Sequence, residues 1–358
     1  MRAPLLPLLL LTCASLAGCG MFSAPRYNGP VSDHFDGERF RNQGEVASHG
    51  FWGVLKWQLN SDPGPWREWT DAPPGPPPPE RVGPGELRVT FVNQATVLIQ
   101  VDGLNILTDP VWSDRVGPVS FAGPTRVRPP GIRFEDLPPI DYVLISHNHY
   151  DHLDLPTVRR LGKAFGPRFF VGLGNARLFF DNGIGNVVDL DWWDSVELRN
   201  GVKLTAVPAQ HRSNRGMSDE KRTLWAGFVI EGANGYTYFA GDTGFGPHFA
   251  QIRERFGPPR LAVLPIGAYR PEWFMAPVHL SPRDAVKAHH VLGAHHSVGM
   301  HFGTFDQADD GQDEPVHALA AAREEAGVDA DRFWVLDFGE GRDVPLSGHE
   351  QDRAAARR

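Results

Sequence analysis

The chain has 358 residues, of which 41% are hydrophobic and 22% are charged, a globular composition with enough apolar material for a large core. Its 39 Gly and 32 Pro argue against a helical bundle, and a formal charge of −8 disfavours attraction to nucleic acid. Cys13 and Cys19 are the only cysteines, so a disulfide framework and a cysteine zinc site are excluded from the body of the protein, and the 15 His become the candidate metal ligands.

The first residues have the pattern of a secretory signal. Arg2 precedes an apolar run over 5–16, which is too short to span a bilayer. The run ends in Leu16-Ala17-Gly18-Cys19, which resembles the box of bacterial lipoproteins. The resemblance implies a signal peptide over 1–18 and lipidation of Cys19. An ordinary signal peptide with an incidental cysteine is the alternative.

The expected location follows from the same segment. Gly20 rather than Asp follows Cys19, and by resemblance to enterobacterial sorting this implies a lipoprotein of the cell envelope, in the outer membrane and facing the periplasm. Removal of 1–18 would leave the protein more acidic, because only Arg2 is lost. Attachment to the membrane would then depend on the acyl chains rather than on charge.

Residues 19–85 are predicted to hold the anchor, an aromatic-rich arm and a Pro-rich spacer. Disordered tethers are poor in aromatic residues, so the arm over 20–72 is expected to pack on the body. The segment 73–84 is rich in Pro and favours a stiff, extended spacer. A recognition ligand for another domain is the alternative for that segment.

Residues 86–341 form the predicted hydrolase domain, and 342–358 a polar tail. Short apolar runs typical of strands recur at 87–91, 97–101, 141–146, 202–207, 226–230, 236–240, 261–265 and 297–300. Helices are predicted over 155–165, 247–256 and 282–292, the last with Ser281 as N-cap and Pro282 at its first position. Strands mixed with helices predict a layered α/β domain.

The strongest motif is the segment Ser146-His147-Asn148-His149-Tyr150-Asp151-His152, which follows a predicted strand. In extended backbone His147 and His149 point to the same side, and a turn then brings Asp151 and His152 round. Four such groups are expensive to bury without partners, so their density predicts a metal site. Further ligands are expected where other strands end, at His211, Asp242 and His301.

This set of residues resembles the metallo-β-lactamase superfamily, whose fold is an αββα sandwich with a two-metal centre. The resemblance implies that one metal is held by His147, His149 and His211. The other is then held by Asp151, His152 and His301. Asp242 would bridge the two ions. His and Asp ligands suit Zn²⁺, with iron or manganese as alternatives.

Segments outside the ligands narrow the resemblance to the branch of N-acylphosphatidylethanolamine-hydrolysing phospholipase D, over about 50–340. They are 51–58, 107–110, 137–141, 145–154, 208–211, 241–244, 266–269, 273–275 and 301–305. The chain departs from the branch in two places. Asn93-Gln94-Ala95-Thr96 replaces its usual Gly-His-Ala-Thr, and Phe302 stands where the mammalian enzyme has Trp. The first departure implies that a contact close to the ligands differs. Neither departure replaces an expected ligand, and both leave the substrate open.

The resemblance implies a zinc-dependent phosphodiesterase that cleaves a phospholipid on its head-group side, by attack of metal-bound hydroxide on phosphorus. Asp151 would orient the nucleophile or handle its proton. His279 would contact the substrate or donate a proton, with a surface His that hydrogen-bonds near the helix cap as the alternative. Tyr269 is a second candidate for substrate contact, with ring packing as its alternative. Asp109 would fix a metal-binding His, with plain turn capping as the alternative.

Other functions and partners stay open at this point. Hydrolysis of a lactone, a β-lactam or another ester or amide is the main alternative, and a non-catalytic metal-binding lipoprotein is a remote one. The expected partners are a phosphodiester substrate, the membrane through the anchor and a second copy of the chain in a homodimer, with no nucleic acid.

Two further groups of residues have two interpretations each. His289, His290, His295 and His296 are expected to be exposed rather than to form a second metal cluster. The basic stretch that contains Arg115, Arg126, Arg128 and Arg133 would contact lipid phosphate or form a solvated loop.

Overall fold

Two seven-stranded sheets form the centre of the protein in a computed structural model that describes residues 23–44, 46–47, 49–119 and 121–346. The first sheet contains β1 (Leu87–Asn93), β2 (Thr96–Val101), β3 (Leu104–Thr108), β4 (Tyr142–Ile145), β5 (Arg168–Gly172), β6 (Val187–Leu190) and β14 (Gly341–Asp343). The second sheet contains β7 (Ser195–Glu197), β8 (Lys203–Val207), β9 (Gly227–Gly232), β10 (Gly235–Phe239), β11 (Leu261–Pro265), β12 (His296–Met300) and β13 (Phe333–Trp334).

The α-helices connect the strands and cover the sheets. They are α1 (Gly50–Leu59), α2 (Leu155–Ala164), α3 (Ala176–Asp181), α4 (His248–Phe256), α5 (Glu272–Met275), α6 (Pro282–Leu292) and α7 (Glu314–Ala326). Short 3₁₀ turns lie at Phe134–Asp136 and Arg199–Gly201. Within the described ranges, no helix has the length and apolarity that a membrane crossing requires.

Each sheet is half antiparallel and half parallel. The first runs in the order β14-β1-β2-β3-β4-β5-β6, with parallel pairing from β3 to β6. The second runs β13-β12-β11-β10-β9-β8-β7, with parallel pairing from β10 to β13. Because parallel strands end at the same edge of a sheet, the residues that follow them are brought together.

The layers follow from the alternation of side chains along the strands. In β4, Leu144 belongs to the main core, which both sheets share, whereas Val143 and Ile145 pack with Val158 and Leu161 of α2 in a second core. Both faces of the first sheet are therefore buried, as expected of a sheet covered on each side. The result is an αββα sandwich, and the predicted fold class is confirmed.

The predicted helices are found within a residue or so of their expected bounds. The helix predicted over 282–292 is α6, and the Ser281 hydroxyl accepts a hydrogen bond from Asp284 N at 3.1 Å, as an N-cap does. The helix predicted over 155–165 is α2, and that over 247–256 is α4. The sequence pattern missed α1, α3, α5 and α7.

The chain on either side of the predicted hydrolase domain takes part in the fold. Phe35 and Phe40 of the N-terminal arm are buried in the main core. At the other end the prediction of a tail from residue 342 is wrong for its first residues, because β14 pairs with β1 and Val344 is buried. The backbone bonds of the β1 edge and the apolar side chain of Val344 hold these residues in the sheet.

Candidate metal centre

The motif residues gather at the ends of strands from both sheets. His147 follows β4, and Asp109 follows β3 in the same sheet. Asp242 follows β10 and His301 follows β12 in the second sheet. Rigid strands thus set the positions of these side chains, while His211 lies on the longer connection between β8 and β9.

Four of the donor atoms form a compact Asp–His cluster. His152 Nε2 lies 3.1 Å from His301 Nε2, and both nitrogens lie 3.1–3.2 Å from Asp242 Oδ2. Asp151 Oδ2 lies 3.2 Å from each of the same two nitrogens. Ligands of a tetrahedral ion at about 2.0 Å stand about 3.3 Å apart, so these separations fit a bound metal ion.

The remaining three predicted ligands form a triple-histidine cluster beside the first. His147 Nε2 lies 2.7 Å from His149 Nδ1, which in turn lies 3.3 Å from His211 Nε2. Asp242 Oδ2 is 3.9 Å from His211 Nε2, so this carboxylate faces both clusters. Its second oxygen, Oδ1, is buried without a hydrogen-bond partner, which suits an atom that would bind an ion.

Hydrogen bonds on the far side of the rings orient these histidines. Asp109 accepts from His152 Nδ1 at 2.7 Å, and its other oxygen accepts from Ser146 N at 2.7 Å. Asn214 Oδ1 accepts from His149 Nε2 at 2.8 Å, and the Val278 carbonyl accepts from a ring nitrogen of His211 at 2.8 Å. Such partners fix the tautomer and leave the opposite nitrogen for a metal.

Electrostatics in the Asp–His cluster also suits a divalent cation. Burial pushes the pKa of His301 down, but the charge of Asp242 and the hydrogen bonds to Asp151 and Asp242 outweigh it and raise the pKa to about 9. Burial likewise opposes the charge of Asp151, yet His152 and His301 hold its pKa well below the usual range. A protonated His301 thus offsets part of the charge of the two carboxylates, and a divalent ion would supply positive charge at the same place.

The triple-histidine cluster has the opposite electrostatics. Burial lowers the pKa of His149 to about 4, and burial together with the neighbouring histidines lowers the pKa of His147 well below its usual value. The rings are therefore neutral near pH 7, which is the form that binds a metal. The residues present fit a metal ion at both clusters.

Gln94, in the turn between β1 and β2, lies against the predicted ligands. Its Nε2 donates to Asp151 Oδ2 at 2.9 Å and to Gln307 Oε1 at 2.8 Å, and lies 3.0 Å from His301 Nε2. Its carbonyl accepts from His301 N at 2.7 Å. The departure noticed in the sequence therefore falls on a residue that contacts two ligands.

Two residues of the centre have a backbone conformation that side chains disfavour. His301 has φ of 65° and Asp109 has φ of 33°, both in the left-handed region. Each lies directly after a buried strand, and its side chain is fixed by the neighbours described above. Strain of this kind persists where surrounding contacts enforce it, and it is concentrated at functional sites.

The ligands open on a cavity of about 190 Å³ that also contains His279 and Gln307. His279 Nδ1 lies 3.9 Å from Asp242 Oδ2 and is buried without a hydrogen-bond partner. A groove of about 620 Å³ adjoins this cavity and shares Arg212, Phe274 and Val278 with it. The structure thus places His279 beside the ligands, next to a route to the surface.

Tyr269 lies elsewhere. Its ring is buried and its hydroxyl donates to Glu314 Oε1 at 2.9 Å, and burial and Glu314 together raise its pKa. It does not line the cavity that holds the ligands. The expectation of substrate contact is therefore corrected to packing. Cys19 lies outside the described residues.

One member of each of the two groups outside the centre differs from expectation. His289 is buried rather than exposed, because its ring hydrogen-bonds Ser297 Oγ at 2.8 Å and stacks on Phe333. Arg126 is buried too, and donates to the Ser113 carbonyl at 3.0 Å. Both side chains therefore find hydrogen-bond partners within the protein.

An αββα sandwich with two His/Asp clusters at its strand ends defines a metal-dependent hydrolase. The model of the β-lactamase superfamily domain matches residues 104–302, which is more than half of the chain. The chain belongs to the metallo-β-lactamase superfamily, in the branch that resembles N-acylphosphatidylethanolamine-hydrolysing phospholipase D.

Relatives in three organisms support this assignment. N-acyl-phosphatidylethanolamine-hydrolyzing phospholipase D 1 of Caenorhabditis elegans is 44% identical over 230 residues, covering 61% of this chain and 64% of that protein. The mitochondrial enzyme of the same name from Saccharomyces cerevisiae is 34% identical, over 70% of this chain and 54% of that one. A metal-dependent hydrolase of Rubrobacter xylanophilus is 31% identical, covering 62% of this chain and 84% of that protein. The chain thus spans less than two thirds of the two phospholipases.

Solved structures agree in fold. An isothiocyanate hydrolase from Delia radicum gut bacteria has a TM-score of 0.55 at 22% identity, covering 71% of this chain and 98% of that one. CmlA, a diiron β-hydroxylase of Streptomyces venezuelae, has a TM-score of 0.52 at 19% identity, covering 76% and 55%. At these identities the likeness concerns the sandwich alone.

Proposed function

We propose that the protein is a phosphodiesterase of the phospholipase D type, which cleaves N-acylphosphatidylethanolamine or a related phospholipid on its head-group side with two Zn²⁺ ions. The observation that carries the proposal is the continuity of the ligand cavity with the larger groove. Val54, Met217 and Phe274 give that groove an apolar lining, which suits acyl chains. The similarity to two phospholipases supports the same substrate class.

The charges along the groove fit a phosphate head group. Arg212 and Lys221 line it together with one acid, Glu220, which lies 3.8–3.9 Å from both, whereas the chain as a whole is acidic. Arg212 lies where the groove meets the ligand cavity. A phosphodiester would thus find cations at the entrance and apolar surface beyond it.

The roles of the ligands follow from the two clusters. His147, His149 and His211 would hold one ion, Asp151, His152 and His301 the other, and Asp242 would contact both. Bound divalent ions would supply Lewis acidity towards phosphate oxygens and a lowered pKa for bound water. Asp109 keeps His152 in the tautomer that leaves Nε2 free.

His279 and Asp151 face the space in which the substrate phosphate would lie. Burial lowers the pKa of His279 to about 4, so its ring is neutral near pH 7 and contacts the substrate by hydrogen bonds. A phosphate close by would raise that pKa and allow the ring to carry a proton. Asp151 Oδ2 accepts a hydrogen bond from Gln94 Nε2. The Asp151 carboxylate would also orient the attacking water.

The location and assembly belong to the same proposal. Lipidation of Cys19 would anchor the enzyme in the outer membrane, facing the periplasm and close to its substrate, and the chain would form a homodimer. We expect Cys19→Ser to leave hydrolysis intact and to release the protein from membranes, as measured by fractionation. Continued membrane attachment of this variant would contradict the anchor.

The function is tested with the full chain in detergent micelles. Its bound metals are counted, and it is assayed on N-acylphosphatidylethanolamine, phosphatidylethanolamine and bis(p-nitrophenyl) phosphate, with and without a chelator. Chelator-sensitive release of phosphatidic acid is the expected result, with Asp242→Asn as the inactive control. Turnover of the small diester alone would show a phosphodiesterase whose substrate is not a lipid. Turnover of lactones or β-lactams alone would replace the phosphodiesterase proposal with the alternative hydrolase.

A further inference from the structure

The N-terminal arm lies along the connection that carries a metal ligand. We call residues 23–44 the strap, and residues 208–226, between β8 and β9, the ligand loop. The ligand loop contains His211 and also Asn214, the hydrogen-bond partner of His149. It has no helix or strand of its own, so its backbone needs partners from elsewhere in the chain.

The strap supplies these partners at several points. Tyr27 N donates to the Arg222 carbonyl at 3.1 Å, and Phe40 N donates to the Lys221 carbonyl at 2.8 Å. Phe40 is itself buried in the main core, which fixes this end of the strap. The ligand loop is therefore held between the core and the strap.

Asn42, at the end of the strap, contacts the ligand residue directly. Its Nδ2 donates to the His211 carbonyl at 2.8 Å, and its Oδ1 accepts from His211 N at 3.0 Å. The same oxygen accepts from Trp225 Nε1 at 3.1 Å. One side-chain amide thus pairs with both the N–H and the carbonyl of His211, as a neighbouring strand would. It also links this backbone to the buried side chain of Trp225.

We propose that Asn42 is a positioning residue of the metal centre, which sets the backbone of His211 and so the affinity of the triple-histidine cluster for its ion. The ring of His211 is held separately by Val278, so the residue is fixed at both ends. The strap lies outside the segment 104–302 that the superfamily model matches. This chain therefore builds part of its metal centre from residues beyond that domain.

The geometry makes the effect selective for one cluster. Among the described residues, the hydrogen bonds of the strap reach the ligand loop and Asp191 but not Asp151, His152 or His301. Those ligands are held by Asp109 and Gln94 instead. Loss of the Asn42 amide should weaken metal binding at the triple-histidine cluster and leave metal binding at the Asp–His cluster unchanged.

The test measures Zn²⁺ affinity in two backgrounds, by competition with a chromophoric chelator on the full chain in detergent. His301→Ala disables the Asp–His cluster and His149→Ala disables the triple-histidine cluster. We expect Asn42→Ala to weaken Zn²⁺ binding about tenfold in the first background and less than twofold in the second, since partners of ligands tune affinity by about 10- to 100-fold. Arg41→Ala, at an exposed neighbour whose side chain pairs with Asp36, is the matched control and should change neither.

A second readout needs no metal. In the metal-free protein, hydrogen exchange at the His211 amide should be faster in Asn42→Ala than in the parent, and unchanged in Arg41→Ala. Asn42 is only half-buried, so water can replace its amide and the variant is expected to fold. Asn42→Ser, which keeps a hydroxyl, is the second variant if Asn42→Ala does not fold.

The outcomes separate this inference from the proposed function on which it rests. Equal weakening in both backgrounds, or no weakening in either, would overturn the role of Asn42. A parent protein that binds one Zn²⁺ per chain would remove the two-ion proposal, while the comparison of backgrounds would still show which cluster Asn42 serves. A parent that binds no Zn²⁺ would remove both the metal centre and this role, whatever the exchange rates.

Discussion

Asp109→Asn removes one charge from a carboxylate that is buried completely. Asp109 accepts three hydrogen bonds, from Ser146 N at 2.7 Å, from Ser146 Oγ at 2.5 Å and from His152 Nδ1 at 2.7 Å. Asparagine has the same shape, and its carbonyl oxygen can keep the bond from Ser146 N. Its amide nitrogen then faces His152 Nδ1, so two hydrogen-bond donors meet and no bond forms between them.

The size of the effect follows from the tautomer of His152. To accept from the new amide, the ring must move its proton to Nε2, the atom that lies 3.1 Å from both His301 Nε2 and Asp242 Oδ2. A proton there must be displaced before an ion binds. Partners of metal ligands contribute about 10- to 100-fold in affinity, so a loss of about 1.4–2.7 kcal/mol of binding free energy is expected.

The assay is Zn²⁺ competition in the His149→Ala background, where the Asp–His cluster remains. Asp109→Asn should lower the Zn²⁺ affinity of the Asp–His cluster by about 10- to 100-fold. Asp136→Asn, which alters a surface ion pair with Arg133, is the control and should have no effect. Unchanged affinity in Asp109→Asn would refute the assignment of Asp109 as the partner that fixes the tautomer of His152.

Two further variants separate metal binding from turnover. His279→Ala should keep the full metal content and lower phosphodiester turnover by about 100-fold, the lower range for an acid–base group, and normal turnover would exclude a role at the substrate. Gln94→Ala removes a donor to Asp151 and should lower turnover about fivefold with metal content retained, since one hydrogen bond contributes about 1 kcal/mol. An unchanged rate, checked together with metal analysis, would show that this amide has no influence on the carboxylate.

The sequence was informative wherever chemistry and local pattern coincide. The spacing of His147, His149, Asp151 and His152 after a buried strand predicts a metal site without reference to the rest of the chain. His211, Asp242 and His301 were found because each follows an apolar run, and sheet topology then brings the ends of separate runs together. The αββα layers came from the resemblance, since strand and helix patterns alone predict only a layered α/β domain.

Contacts between distant segments could not be read in this way. Gln94 lies more than 200 residues before His301, and no local pattern shows that its amide reaches this ring. Asn42 sits in an irregular arm whose aromatic residues predict packing but not its partner. The burial of His289 and Arg126 had no local signal either, because an isolated polar residue reveals its partners only in the folded structure. Tertiary hydrogen bonds, rather than secondary structure, account for most of what was missed.

The two clusters differ in how rigidly they are built, and this predicts the order in which they fill. The Asp–His cluster contains two carboxylates, and its strand-end ligands are held by Asp109 and Gln94. The triple-histidine cluster shares Asp242 but adds only neutral rings, and it takes His211 from a loop that the strap must hold.

Charge and preorganisation therefore both favour the Asp–His cluster. We expect Zn²⁺ to bind at least about tenfold more tightly when this cluster is intact (His149→Ala) than when only the triple-histidine cluster is intact (His301→Ala), a difference of about 1.4 kcal/mol or more in binding free energy. The reverse order would show that three neutral imidazoles outweigh the additional carboxylate of Asp151, and that the strap holds the ligand loop as firmly as the strands hold theirs.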